Sequence, residues 1–178
     1  MSPLSTRSGS QGRRRREGAA AVEFALVATP FFFLIFGILE LALVFVTNAV
    51  LENATLSASR MIRTGQADVE NLEAGAFETA LCGQMGVLAS GCEDRTTIDV
   101  RVIPQFRNLT PPDPLATGEM NESALTYVTG DPGSLVLVRV WYAQPLVTPF
   151  LSQAVSRVSS GDAILSATTA FRNEPYDG

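Results

Sequence analysis

The sequence predicts an α+β protein: a long N-terminal transmembrane helix continues into a second helical half that packs on a small antiparallel sheet. Three observations carry this expectation. Residues 24 to 46 form a 23-residue stretch whose only charge is Glu40. The helical pattern then runs without proline or glycine to Thr64. Beyond it lie three segments with the two-residue alternation of strands, separated by turn-rich loops.

The apolar stretch is long enough to cross a bilayer, since about 20 residues at 1.5 Å each span a hydrocarbon core of about 30 Å. Sixteen of its 23 residues are Leu, Ile, Phe or Val. They supply roughly −5 to −10 kcal/mol of insertion free energy. One carboxylate at the centre would cost about +2.5 to +3.5 kcal/mol, so insertion wins. Pro30 and Gly37 are tolerable in a membrane helix.

Charge is divided sharply. Residues 1 to 18 carry a net +4, from five arginines and Glu17, and the remainder carries −9. A basic head before an apolar run orients a helix with its N-terminus in the cytoplasm. The acidic body argues against a nucleic-acid partner. The chain has no lysine and no histidine, which removes the commonest general base and metal ligand. No ordered nucleophile–base pair and no phosphate-binding glycine motif can be read, so neither an enzyme nor a bound cofactor or metal is expected.

Past the membrane, Leu51, Ala54, Ala58 and Met61 form a narrow apolar stripe, with Glu52, Ser59, Arg60 and Arg63 off it. Arg60 and Arg63 suit the last turn, and Gly65 is the stop. Residues 67 to 86 read as one short helix with Asp68 as its cap and Leu72, Ala76 and Ala80 near one face. Cys82 and Cys92 then follow with nine residues between them. That spacing is not the Cys-x-x-Cys of a redox pair, and two thiols without histidine make a poor zinc site. They read as a disulfide in an oxidising compartment, or as two separate buried thiols.

The strands follow in order. In "TTIDVRVIP", Ile98, Val100 and Val102 alternate with Asp99 and Arg101, the pattern of a half-buried strand. "SLVLVRVWYAQ" is apolar on both faces and reads as central. "DAILSATTAFRNE" aligns Ala163, Leu165, Ala167, Thr169 and Phe171. Pro111, Pro112 and Pro114 mark the first intervening stretch as loop. "PLVTPFLSQAVS" between the last two strands reads as a short apolar turn or helix.

Two glutamates accompany the apolar run. Gly18, four small or apolar residues, Glu23, Phe24 and a long helix resemble a type IV pilin-like precursor. Such a precursor is cut at the cytoplasmic face by a prepilin peptidase. Cleavage after Gly18 would make Ala19 the new N-terminus, and Glu23 could offset a neighbouring subunit's α-amine. Each charge alone in the bilayer would be costly. Glu40 is about 24 Å along the helix from Phe24, near the far interface, and roughly 100° around from Glu23. It reads either as pairing with a polar group on a partner helix or as a solvated interfacial acid.

"GAAAVEFALVATPFFFLIFGILE" and "VLENATLSASRMIRTGQ" resemble the TadE-like family, pilin-like proteins (pseudopilins) of the tight-adherence, or Flp, pilus assembly system. The matching features are the "VEFALV" core, Pro30, Glu40, Leu51-Glu52 and "RTGQA" at Arg63 to Ala67. The C-terminal "FRNEPY" is also similar. Ala19 departs from the phenylalanine of ordinary type IV pilins, and Ala42 stands where relatives often carry glycine. The resemblance implies a minor pilin-like protein of the bacterial inner membrane with a pilin-like, periplasmic C-terminal domain. Its implied partners are the bilayer, the prepilin peptidase, and other pilin-like subunits and assembly proteins. Three regions are expected: a cytoplasmic arginine-rich leader over 1–18, the helix over 19–65, and a periplasmic α+β domain over 66–178. The alternative is an uncleaved single-pass anchor holding a periplasmic scaffold or binding domain.

Overall fold

The computed structural model describes residues 10–70, 72–88, 91–107, 109–156 and 158–175, without the side chains of 10–17, 68, 69, 149 and 150. The leader's arginines, the Asp68 cap and Tyr176 therefore lie outside the described residues and side chains. The chain divides into two compact units, Met1–Leu39 and Glu40–Gly178.

One helix, α1 (Ser10–Arg63), is common to both units. It starts earlier than the expected Ala19, because "RRRREGAAAVE" holds good helix formers and no proline. It ends as expected. Gly65 takes a positive φ of 77°, and its N–H donates to the Ile62 carbonyl at 3.0 Å. This left-handed glycine closes the last turn, where Arg60 and Arg63 face the carbonyl end.

In the first unit, α1 is apolar and outward-facing: Phe24, Leu26, Val27, Phe31 and Phe36 are all exposed. In the second, Val44, Thr47, Leu51, Ala54, Thr55, Ala58, Ser59 and Ile62 are buried. This stripe corrects the expected one. Eleven residues separate Leu51 from Ile62, about 20° off three full turns, whereas Met61 falls about 80° away. Ile62 is accordingly buried and Met61 half-buried. Ser59, expected off the stripe, is on it because the buried band is two residues wide.

Where one helix was expected over 67–86 there are two, α2 (Gln66–Val69) and α3 (Ala74–Gln84). Leu72 N–H donates to the Ala67 carbonyl, and Glu73 at the N-cap is extended. The break lets Leu72 reach the core, while α3 buries Phe77, Leu81 and Cys82 rather than Ala76 and Ala80. The larger side chains set the face, since burial scales with apolar area.

The sheet has the order β1-β2-β3 and is antiparallel throughout: β1 is Thr96–Val102, β2 Leu135–Gln144 and β3 Ala163–Arg172. The central β2 pairs Val138 with Val100 on one side and with Thr169 on the other. Its Val136, Val138, Val140 and Tyr142 join Leu51, Ala54, Ala58, Ile62 and Phe77 in one core. The opposite face of β2, Leu137, Arg139 and Trp141, is buried too. The connection from β1 back to β2 covers it. Val100 also exchanges backbone hydrogen bonds with Thr126 and Val128, which shields the outer edge of β1. Gly130 turns this connection at φ 76°; a Cβ there would come within 2.7 Å of Val102 Cγ2. Between β2 and β3 the expected short helix is present as α4 (Pro149–Val155), with proline in its first turn.

Candidate functional site

The functional candidates fall along α1 and where it meets the body. Gly18, Ala19 and Glu23 are all exposed and all helical. Pro30 cannot donate to the carbonyl four residues back, yet the helix continues through it. Thr29 beside it turns its hydroxyl onto the Ala25 carbonyl at 2.7 Å. Phe32 and Phe36 stack with centroids 6.3 Å apart on the same exposed surface. Helix α1 is long and apolar enough over Gly18–Arg63 to cross a membrane, and its most apolar stretch is almost entirely unburied. A soluble protein would hide such a surface in its core.

Glu40 opens the second unit. Its carboxylate accepts the backbone N–H of Val147 on one oxygen and that of Thr148, at 3.0 Å, on the other. Both donors belong to the loop before α4. The contact joins residues 107 and 108 positions apart in sequence. Nothing in the local pattern around Glu40 signals it.

Cys82 at the end of α3 and Cys92 form the expected disulfide, with Cα atoms 5.8 Å apart. Both are buried. The crosslink ties α3 to the turn that delivers β1.

Two polar hubs escaped the pattern-level reading. The first is Asp99, expected on a solvated strand face and in fact 0% exposed. The register sets it opposite Arg139. Arg139 donates to Asp99 Oδ2 from Nε at 3.0 Å and Nη2 at 2.7 Å, and Arg101 Nε donates to the same oxygen at 2.8 Å. Thr126 N–H donates to Oδ1 at 3.0 Å. The arginines spend their other donors on the connecting loop: Arg139 on the Pro112 carbonyl at 2.8 Å and Arg101 on the Ala124 carbonyl at 3.0 Å. Arg139 also lies 4.9 Å over the Trp141 ring. Burial alone would push the Asp99 carboxyl up. The hydrogen bonds from Arg101, Arg139 and Thr126 outweigh it and hold the group below its ordinary value.

The second hub is Asn173, 2% exposed, in the "FRNEPY" segment. Its Nδ2 donates to the carbonyls of Thr129, Gly130 and Asp131 at 2.9, 3.2 and 3.2 Å. Next to it Glu174 N–H caps the Arg63 carbonyl at 2.8 Å, and its carboxylate meets Arg63 Nη2 at 2.9 Å. The chain's end is thus tied to the end of α1.

The body has an open cleft of about 320 Å³ lined by Glu78, Glu122, Thr96, Thr97 and Tyr127 among others. Partial burial, reinforced by the carboxylates of Glu93, Asp94 and Glu122, pushes Glu78 upward. Among the described residues no three His, Cys, Asp or Glu side chains are grouped to hold a metal ion.

No curated protein and no solved structure gives a match to the chain. A protein-family model does match, and its span begins at Gly18 and ends three residues before α1 does. With an exposed helix long and apolar enough to cross a membrane, that match supports a pilin-like membrane protein related to the Tad pilus. Residues 18–60 are a TadE-like segment, matching the model described as TadE-like protein.

Proposed function

We propose that the chain is a minor pilin-like subunit acting in assembly of tight-adherence pili. It sits in the bacterial inner membrane with its N-terminus cytoplasmic and its body periplasmic. A prepilin peptidase cuts after Gly18, and the mature chain starts at Ala19. Glu23 then faces the α-amine of a neighbouring pilin-like subunit, and the body contacts other assembly proteins. The role is structural, not catalytic.

The observation that carries this reading is the placement of the family match, which starts at Gly18, the residue the pilin-like pattern sets before the cut. Physical chemistry supports the rest. Glycine weakens a helix interior by about 1 kcal/mol relative to alanine, which eases local opening of α1 at Gly18 for a protease. A disulfide and an acidic body suit the periplasm, and five arginines before the apolar run suit the cytoplasmic side.

A second reading has its own observation. Helix α1 runs through Gly18 unbroken from Ser10, a conformation that an uncleaved single-pass anchor for a periplasmic scaffold or binding domain would keep. One experiment separates the two. N-terminal sequencing and intact mass are measured on protein from membranes of a host carrying the peptidase. The pilin reading expects a chain starting at Ala19 and a full-length chain when Gly18 is replaced by a bulky residue. Wild-type protein that keeps residues 1 to 18 in that host would establish the anchor instead.

A further inference from the structure

We propose that the loop before α4 is a second membrane contact: Pro145–Phe150 lies in the lipid headgroup zone, and Glu40 holds it there. The inference rests on α1 spanning the bilayer.

On α1, Leu43, Phe45 and Val46 are 45%, 73% and 54% exposed. Outward-facing apolar side chains therefore continue for nearly two turns past Glu40, and polar residues begin only at Thr47 and Asn48. The apolar-to-polar boundary of the helix lies beyond Glu40, not before it. Whatever is bonded to Glu40 is carried to a level where the helix still faces lipid.

What is bonded there suits lipid. The stretch "PLVTPF" has no charged residue. Leu146 packs against the core of the body, while the Val147 side chain is 89% exposed. One exposed valine is ordinary on a protein surface. This one differs because its backbone N–H is fixed to a carboxylate on a membrane helix.

The pairing also lowers two obstacles to immersion. A carboxylate near the hydrocarbon edge needs partners, and loop amides in lipid need acceptors. Glu40 and the amides of Val147 and Thr148 meet both needs with charge-assisted hydrogen bonds. Two proline positions, Pro145 and Pro149, present no backbone N–H to be satisfied. The body is thereby seated on the membrane surface at a second point, through a loop that α4 and β2 position.

Tryptophan scanning in lipid tests this. Full-length protein is reconstituted in phosphatidylcholine vesicles without bromolipid, or with lipids brominated either near the headgroup end or near the middle of their chains. Val147→Trp, Val87→Trp and Phe36→Trp are compared one at a time, with the emission of Trp141 in the parent subtracted. Val87 is 97% exposed and serves as the body-surface reference. The expected result is bromolipid quenching and loss of iodide access at position 147, with the reverse at 87. Adding Glu40→Ala to Val147→Trp should restore iodide access. Equal behaviour of positions 147 and 87 would overturn the proposal, as would lipid quenching at 147 that survives Glu40→Ala. Phe36→Trp unquenched by any bromolipid would instead refute the membrane-spanning reading of α1.

Discussion

Replacing Asp99 by asparagine should cost the body about 3 to 5 kcal/mol, the range for breaking a buried ion pair from one side. The magnitude follows from what is left behind. Asp99 is 0% exposed and Arg139 8%. With asparagine in its place one neutral oxygen remains as acceptor and an NH2 group replaces the other, while Arg139 keeps the Pro112 carbonyl and Arg101 that of Ala124. Two guanidinium groups then share a site with no counter-charge. Domains of this size hold only about 5 to 15 kcal/mol in all, so the loss is a large fraction. Trp141, the one tryptophan, stacks on Arg139 and reports the event. Denaturation of full-length protein in detergent micelles, followed by Trp141 emission, gives the stability.

The pH dependence supplies a second reading of the same experiment. Asp99 is held below its ordinary value, so its stabilisation is complete above the unfolded-state value of about 3.9 and is lost as pH falls through the lower folded value. The gap between wild type and Asp99→Asn should therefore be full at pH 7 and shrink below about pH 4. Asp99→Ala with Arg139→Met, which removes the buried pair and leaves only the more exposed Arg101 without its carboxylate, should recover part of the loss, because apolar replacement of a buried pair is often neutral. A deficit for Asp99→Asn within about 0.5 kcal/mol, the scale of a surface change, would refute the hub.

Two further outcomes follow from the fold. Reducing Cys82–Cys92, which closes a separation of 10 residues, should lower stability by roughly 2.5 to 3 kcal/mol in the loop-entropy model; an unchanged denaturation midpoint in reductant would contradict it. Asn173→Ala leaves the carbonyls of Thr129, Gly130 and Asp131 without their side-chain donor and should cost about 1 to 3 kcal/mol. Its check is a lower denaturant midpoint together with faster hydrogen exchange at residues 129 to 134, and exchange unchanged in that turn would count against it.

What could be read from sequence was local. The apolar run, the Gly65 stop, the alternation in three strands and the pairing of the only two cysteines each depend on neighbours within a few residues. The failures share one cause. Alternation says that Asp99 and Ile98 face opposite ways, but not whether the Asp99 side is wet. That depends on the register placing Asp99 against Arg139, 40 residues away, and on a proline-marked loop folding over both. A single charge in an otherwise apolar β2 was the available signal, because a central strand has no solvated face to give it. The shift from Met61 to Ile62 is smaller: a four-member stripe fits two phases of a helix, and packing against the sheet chooses between them.

Glu40 shows most clearly why such long-range partners are invisible in one dimension. The pattern around it offered two fates, a bond to another helix or solvation at the interface. Each assumed the acceptor was satisfied from outside the chain. The structure satisfies it from within, by two backbone amides, and a backbone amide carries no sequence signature because almost every residue has one. What selects Val147 and Thr148 is placement. The end of β2 and the start of α4 bring that turn to α1, and prolines on either side keep it from joining the sheet or the helix early. The same acid therefore serves the fold directly, and its cost in an apolar stretch is offset within the chain. A carboxylate retained in an apolar segment is best sought first against the chain's own loops, and only then against a partner.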